Sequence, residues 1–262
     1  MDLGLTGKRA LVLASSRGLG LGVATKLVEE GAHVLLTGRD AARLAAAAAD
    51  LTARGPGRAD YALVDLAAPE AVAALAAEAE AKLGGVDILV NNSGGPAPGP
   101  VSASTPEAWR SGFGAMVEPI VALTNLLLPG MRARGWGRVL TLASSGVEQP
   151  IPNLGLSNGL RSALAGWSKT LAAEVAADGV TVNMLLPGRI HTDRVDELDA
   201  AAAKRAGKTP EEIATASRAT IPAGRYGRVE EFAAVAAFLC GVPASYVTGS
   251  KLRCDGGMIR GL

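Results

Sequence analysis

Cysteine is nearly missing: Cys240 and Cys254 are the only two in 262 residues. Two thiols exclude a disulfide framework and a cysteine-based zinc cluster, and no metal site is expected. An excess of one charge sign is missing too. Lys and Arg number 26 against 25 Asp and Glu, for a formal net charge of +1, and no dense basic run occurs. The electrostatic footprint of a general nucleic-acid binder is therefore lacking. No stretch approaches 18 uninterrupted apolar residues, so a membrane span is not expected. The opening residues, Met1-Asp2-Leu3-Gly4-Leu5, hold no basic segment followed by an apolar one, so no secretory signal is expected either. These absences leave a globular protein of a reducing compartment, expected in the cytoplasm.

What is present is a regular alternation. Hydrophobic residues make up 48% of the chain, enough for a sizeable core, and the length suits one large α/β domain. Short continuous apolar runs at 9–13, 33–37, 61–64, 86–90, 139–142, 180–185 and 250–253 read as buried strands. Between them, helical spacing is found over 18–30, 40–54, 69–83, 105–133, 158–178 and 228–240. Glycines close several of these segments, as at Gly31 and Gly84-Gly85. Alanine-rich stretches at 41–49 and 71–81 favour helix and carry no repeat. Strand–helix alternation of this kind predicts about seven parallel strands, doubly wound, with helices on both faces. No linker divides the chain, so a single domain over 1–262 is expected.

The first strand-to-helix turn reads Leu13-Ala14-Ser15-Ser16-Arg17-Gly18-Leu19-Gly20. A small-residue turn opening a helix lets backbone N–H groups approach a pyrophosphate, and the helix dipole favours the anion. Residues 15–20 are therefore candidate cofactor-binding residues. The second strand ends in Thr37-Gly38-Arg39-Asp40. A carboxylate here would hold the ribose 2′-hydroxyl of NAD, whereas a cation suits the 2′-phosphate of NADP. Arg39, with Arg17 from the neighbouring loop, points to NADP(H), and Asp40 reads as the cap of the following helix.

These residues resemble the short-chain dehydrogenase/reductase family, and the likeness extends over essentially the whole chain. Val64-Asp65-Leu66 resembles the segment that contacts adenine, and Asn91-Asn92-Ser93-Gly94 resembles the N-N-A-G motif on the adenosine side. Pro187-Gly188-Arg189-Ile190-His191-Thr192 is similar to the element whose backbone holds the nicotinamide carboxamide. Ser245-Tyr246-Val247-Thr248-Gly249 and Asp255-Gly256-Gly257 resemble the C-terminal signature. Within the family, the nearest likeness is to β-ketoacyl-acyl-carrier-protein (3-oxoacyl) reductases. The resemblance implies a Rossmann fold, a substrate lid near 191–226 and a small carbonyl or alcohol substrate, acyl compounds included. It also implies a homodimer or homotetramer built through the helices at 105–133 and 158–178. Asp65, Leu66, Asn91, Gly94, Pro187, Gly188, Ile190 and Thr192 join the expected cofactor site.

Departures from the family pattern fall on the phosphate loop and the proton-transfer set. Leu13 and Ala14 stand where the family has Thr-Gly. Ser144 matches the family serine. Ser157 and Arg161 occupy the places of the tyrosine and lysine, and Met116 that of the asparagine. A serine hydroxyl is a far weaker acid than a phenol, and an arginine keeps its charge without shuttling protons. Losing a positioned general acid costs about 10²–10⁴-fold, which leaves slow turnover open with water as proton source. Ser157 and Arg161, four apart, share one helix face, and Arg161 could hold the nicotinamide ribose. Ser144 could donate to a carbonyl oxygen or only cap its turn, and His191 is a further candidate acid. Tyr226 and Tyr246 read as structural. The prolines at 96, 98 and 100, with Ile151 and Pro152, suit an apolar approach. Two readings follow: an NADP(H)-dependent oxidoreductase with an atypical proton relay, or a catalytically inactive dinucleotide-binding scaffold or sensor.

Overall fold

In the computed structural model, which describes residues 1–68 and 70–261, seven strands form one sheet in the order β3-β2-β1-β4-β5-β6-β7. They are β1 (Arg9–Val12), β2 (His33–Gly38), β3 (Arg58–Leu63), β4 (Ile88–Asn91), β5 (Gly137–Leu142), β6 (Val180–Pro187) and β7 (Lys251–Cys254). Every neighbouring pair is parallel, with Ala10 opposite both Val34 and Ile88. The helices are α1 (Gly18–Glu29), α2 (Ala41–Arg54), α3 (Ala71–Leu83), α4 (Pro106–Met116), α5 (Glu118–Ala133), α6 (Gly155–Val175), α7 (Asp193–Ala206), α8 (Pro210–Ala219) and α9 (Val229–Cys240).

The central strands are apolar without alternation because helices cover both faces. One core layer joins Val12, Val34, Val90 and Leu140 to Val23 and Leu27 of α1 and Phe232 and Ala236 of α9. The opposite layer joins Leu11, Leu35, Leu89 and Val139 to Leu75 of α3, Leu123 and Leu127 of α5 and Leu171 of α6. The doubly wound parallel α/β architecture expected from the sequence is the one found.

Details differ. The long helix expected over 105–133 is two helices separated at Val117 (φ −111°, ψ −58°), with Pro119 in the first turn of α5. A proline there lacks only an N–H that would have had no helical partner. Residues 106–133 are apolar enough over 18 residues to match a membrane span by composition. Here they bury Leu123, Leu127, Leu128 and Met131 against the sheet. Strand β3 begins at Arg58, three residues before its apolar run, because this edge strand exposes alternate residues. Helix α6 starts at Gly155 rather than 158. The expected first residue of α3, Pro69, and the last residue of the chain, Leu262, lie outside the described residues. The segment at 191–226 holds α7 and α8.

Candidate active site

With all strands parallel, the turns after β1, β4, β5 and β6 open on one edge of the sheet. The chain order reverses between β1 and β4, leaving a crevice where ligands of such sheets bind. Helix α1 points its N-terminus there. Arg17, extended at φ −163°, supplies no side-chain cap, so the first-turn N–H groups of Gly18, Leu19 and Gly20 face the crevice without one. Gly20 is required by close approach: a Cβ would stand 2.5 Å from the Ala14 carbonyl oxygen and 2.9 Å from Asn92 Nδ2. That amide donates to Ala14 O at 3.2 Å, tying the turn after β4 to the phosphate loop. Ala14 itself has φ +47°, a left-handed conformation that favours the glycine of the family pattern.

Ser15 corrects an expectation. It is fully buried; its hydroxyl donates to Val12 O at 2.8 Å and accepts from Thr37 N at 2.9 Å. This side chain pins β1 to β2 instead of reaching a ligand. Ser16 lies half-buried beside Gly38, whose Cβ position is 3.3 Å from Ser16 Oγ. Arg39 follows, exposed. Asp40 caps α2 as expected, accepting from Arg43 N at 3.0 Å. Arg17 does not turn toward Arg39. It reaches Asp193 (3.3 Å) and Glu197 (3.5 Å) on α7, the anions within its range.

Asp65 is exposed and accepts from Ala67 N, while Leu66 packs against the core beneath it. Asn91 is buried and donates to Thr124 Oγ1 at 3.3 Å. Asn91 Oδ1 and Ser93 Oγ are buried without a protein partner, and Gly94 is exposed beyond them. Pro187 ends β6 opposite Cys254. Gly188 allows the chain to pass Asp255, since a Cβ there would lie 2.6 Å from its Cα. Ile190 is buried and bridged to Gly227. Thr192, the residue before α7, brings its methyl within 4.0 Å of a Cβ position at Gly18. An uncapped helix start, a backbone cradle and two unpartnered buried polar atoms along one crevice fit a dinucleotide.

The turns after β4 and β5 form a second wall. Gly99 N donates to Asn153 O at 2.7 Å, and Gly99 bridges Leu154. Ser144 Oγ accepts from Gly146 N at 3.0 Å, a capping bond that leaves its O–H free to donate. Ser157 stands half-buried in the first turn of α6, and Arg161 Nη1 donates to Leu142 O at 3.2 Å. Burial, then the charge of Arg194, lowers the Arg161 guanidinium to about 10, so it stays cationic at neutral pH. Met116 is buried in an apolar cluster with Leu160 and Leu164 of α6, where it offers no hydrogen bond.

The remaining candidates lie outside this group. His191 is exposed, 3.4 Å from Asp196, with its ring 6.5 Å from that of Tyr226. It lines a cavity of about 480 Å³ with Asp199, Glu211 and Arg218, which gives it partners in the α7–α8 segment. The Tyr226 phenol donates to buried Asp199 at 2.7 Å, and Tyr246 is fully exposed. Arg194 and Asn92 escaped the sequence reading. No pattern marks a lone arginine on a polar helix, although Asn92 stood within the quoted motif.

Residues 13–259 match the family described as enoyl-(acyl carrier protein) reductase. The chain is 34% identical to the 3-oxoacyl-(acyl-carrier-protein) reductase of Vibrio cholerae, over 98% of this chain and 99% of that protein. The chain belongs to the short-chain dehydrogenase/reductase family. Among solved structures, L-sorbose reductase from Gluconobacter frateurii, complexed with NADPH and L-sorbose, is 36% identical. It superposes with a TM-score of 0.94 over 100% of both chains. The 3-oxoacyl (acyl-carrier-protein) reductase of Agrobacterium tumefaciens C58, with NADP bound, is 33% identical, with a TM-score of 0.88 over 97% of this chain and 95% of that one. This short-chain dehydrogenase/reductase thus shares its fold with these reductases.

Proposed function

We propose that the protein is an NADP(H)-dependent oxidoreductase that interconverts a small carbonyl compound and its alcohol through an atypical proton relay. The observation that carries the reading is the crevice itself: an open helix N-terminus, the Gly20 cradle and the unpartnered Asn91 and Ser93 oxygens on one side, with the Ser144 hydroxyl and Arg161 guanidinium on the other. When bound, the nicotinamide supplies or accepts the hydride.

The first-turn N–H groups of α1 hold the pyrophosphate. Ser16 and Arg39, which follow β1 and β2, take the 2′-phosphate that separates NADP from NAD. Pro187, Gly188, Ile190 and Thr192 frame the nicotinamide end. Ser144 donates to the carbonyl oxygen. Arg161 reaches the nicotinamide ribose from the position where the family has lysine. Ser157 is too weak an acid to replace the phenol, so water delivers the proton and turnover is slow. The reading includes a homodimer or homotetramer and a lid function for the 191–226 segment. Of the small residues on the two long helical stretches, Gly112 packs against Leu160 and Ala172 is buried within the chain. Ala163 and Gly166 are exposed and remain for a partner.

The test is titration with NADPH and NADH, followed by a ketone panel monitored at the nicotinamide absorbance. Tight NADPH binding with slow consumption is expected, and Arg39→Ala should weaken NADPH far more than NADH. Binding without consumption across a broad panel would favour a dinucleotide-binding scaffold. Failure to bind either dinucleotide would remove both readings.

A further inference from the structure

A serine hydroxyl can meet a substrate carbonyl only while the turn that carries it is held still. The turn after β5 is built from short-range bonds: Val147 N donates to Ser144 O at 3.1 Å, and Glu148 N and Gln149 N donate to Ser145 O at 3.0 Å. Its side toward β7 is held by Glu148, which pairs with Lys251 at 3.4 Å and with Arg253. Two side chains of α6 tie its ends to the helix. Ahead of Ser144, Arg161 Nη1 donates to Leu142 O at 3.2 Å. Beyond it, Asn158 Nδ2 donates to Ile151 O at 3.0 Å. Asn158 follows Ser157 directly and is half-buried.

The other half of the Asn158 carboxamide carries a second argument. Gly146 is buried, and its φ is not positive, so its backbone conformation alone does not call for glycine. Space does. A Cβ there would run into Asn158 Oδ1, and would stand 3.4 Å from Asn158 Cγ and 3.3 Å from Ser144 Oγ. Gly146 N in turn donates to Ser144 Oγ at 3.0 Å. The amide that orients the Ser144 oxygen thus rests on the Asn158 carboxamide. With its NH₂ committed to a carbonyl, that carboxamide has one orientation, which presents its oxygen to Gly146. We infer that Asn158 is a positioning residue: acting through Gly146, it fixes the direction in which the Ser144 hydroxyl meets the substrate carbonyl. The inference rests on the oxidoreductase reading, in which Ser144 is the donor, and adds to that site a group the altered tyrosine and lysine positions do not include.

A double-mutant cycle tests it. NADPH-dependent reduction of the fastest ketone in a panel that includes ethyl acetoacetate and L-sorbose is measured for wild type, Ser144→Ala, Asn158→Ala and the pair. Removing one donor to a developing oxyanion costs about 10²–10³-fold in kcat. Displacing it costs less, so Asn158→Ala should lower kcat by about 10–100-fold, with the Kd of NADPH unchanged. In the Ser144→Ala protein the same change should alter kcat by no more than about twofold, because a missing hydroxyl has no direction to lose. Hydrogen exchange over 144–151 should be faster in Asn158→Ala than in wild type. If Asn158→Ala does not fold by circular dichroism, Gly146→Ala decides on the same cycle, since its methyl displaces the carboxamide without removing it. A kcat unchanged by Asn158→Ala, losses that multiply in full in the pair, unaltered exchange over 144–151, or NADPH affinity lost together with kcat would each overturn the inference. A wild type that binds NADPH yet reduces no ketone of the panel would remove the oxidoreductase reading itself, a failure visible without any variant, and the role of Asn158 would go with it.

Discussion

Ala14 holds a backbone conformation that costs an L-residue about 1–2 kcal/mol relative to the right-handed regions, and the phosphate loop imposes it. Its N–H is held by Thr37 Oγ1 at 3.1 Å and its carbonyl by Asn92, so the strain is fixed from both sides. Ala14→Gly should therefore stabilise the fold by about 1 kcal/mol, since relief of strain exceeds the added chain entropy. Urea denaturation with an unchanged slope would register this as a higher midpoint. A lower midpoint would mean that the alanine methyl makes contacts worth more than the strain. Position 157 carries a different expectation. If the missing phenol limits turnover, Ser157→Tyr combined with Arg161→Lys should raise NADPH-dependent ketone reduction by about 10²–10⁴-fold. Rates unchanged by the pair, in a folded protein that binds NADPH, would show that proton delivery is not what limits this site.

At the scale of elements, the sheet is held at its far edge by a clamp. Asp87, just before β4, accepts from Arg9 of β1 through Nε at 2.8 Å and Nη2 at 2.6 Å, and from Arg134 after α5 at 3.1 Å. Burial raises the carboxyl pKa, but the Arg9 hydrogen bonds and the two positive charges outweigh it, and the net result lies below the usual range. A depressed folded-state pKa contributes stability that is complete above the unfolded value, about 4. That contribution is lost as pH falls through the lower folded value. Asp87→Asn should cost about 1–3 kcal/mol at neutral pH and should flatten the loss of stability between neutral and acid pH. Denaturation midpoints of both proteins across that range check the sign; parallel curves would show that Asp87 is not the titrating group.

Elements were legible where burial dictated composition. Strands β1, β2, β4 and β6 are buried on both faces because helices cover both, and the apolar runs that burial selects survive in one dimension. The exposed half of β3 does not, since Arg58 and Asp60 face solvent on an edge strand. The break at Val117 carried a signal, Pro119, that helical spacing continuing on both sides of it concealed. Side-chain purpose was less visible than backbone path. Ser15 looks like a ligand in a phosphate loop, yet its hydroxyl serves β2. The neighbourhood of Arg161 and Arg194 joins residues 33 positions apart in sequence, which no local pattern encodes.

For the molecule as a whole, α7 and the phosphate loop compete for one cation. Arg17 opens α1, where an incoming pyrophosphate must pass, and it is bound to Asp193 and Glu197 of α7. Anionic phosphates and the α7 carboxylates cannot both hold the same guanidinium, and carboxylates left beside a bound phosphate repel it. All three side chains are largely exposed, at 52%, 71% and 49%, so the latch is a surface pair of small intrinsic strength, about 0.2–1 kcal/mol per partner. Neutralising it with Asp193→Asn and Glu197→Gln together should tighten NADPH by several-fold, up to about thirtyfold if both terms act in full. Because exposed pairs are screened, the gain should be largest near 0.02 M ionic strength and shrink toward about 0.5 M, where the Debye length falls to a few ångströms. Fluorescence titration of both proteins with NADPH at the two ionic strengths reads the effect directly. A double variant that binds NADPH no more tightly at low salt would show that α7 moves independently of the cofactor, and that Arg17 finds its phosphate without first leaving α7.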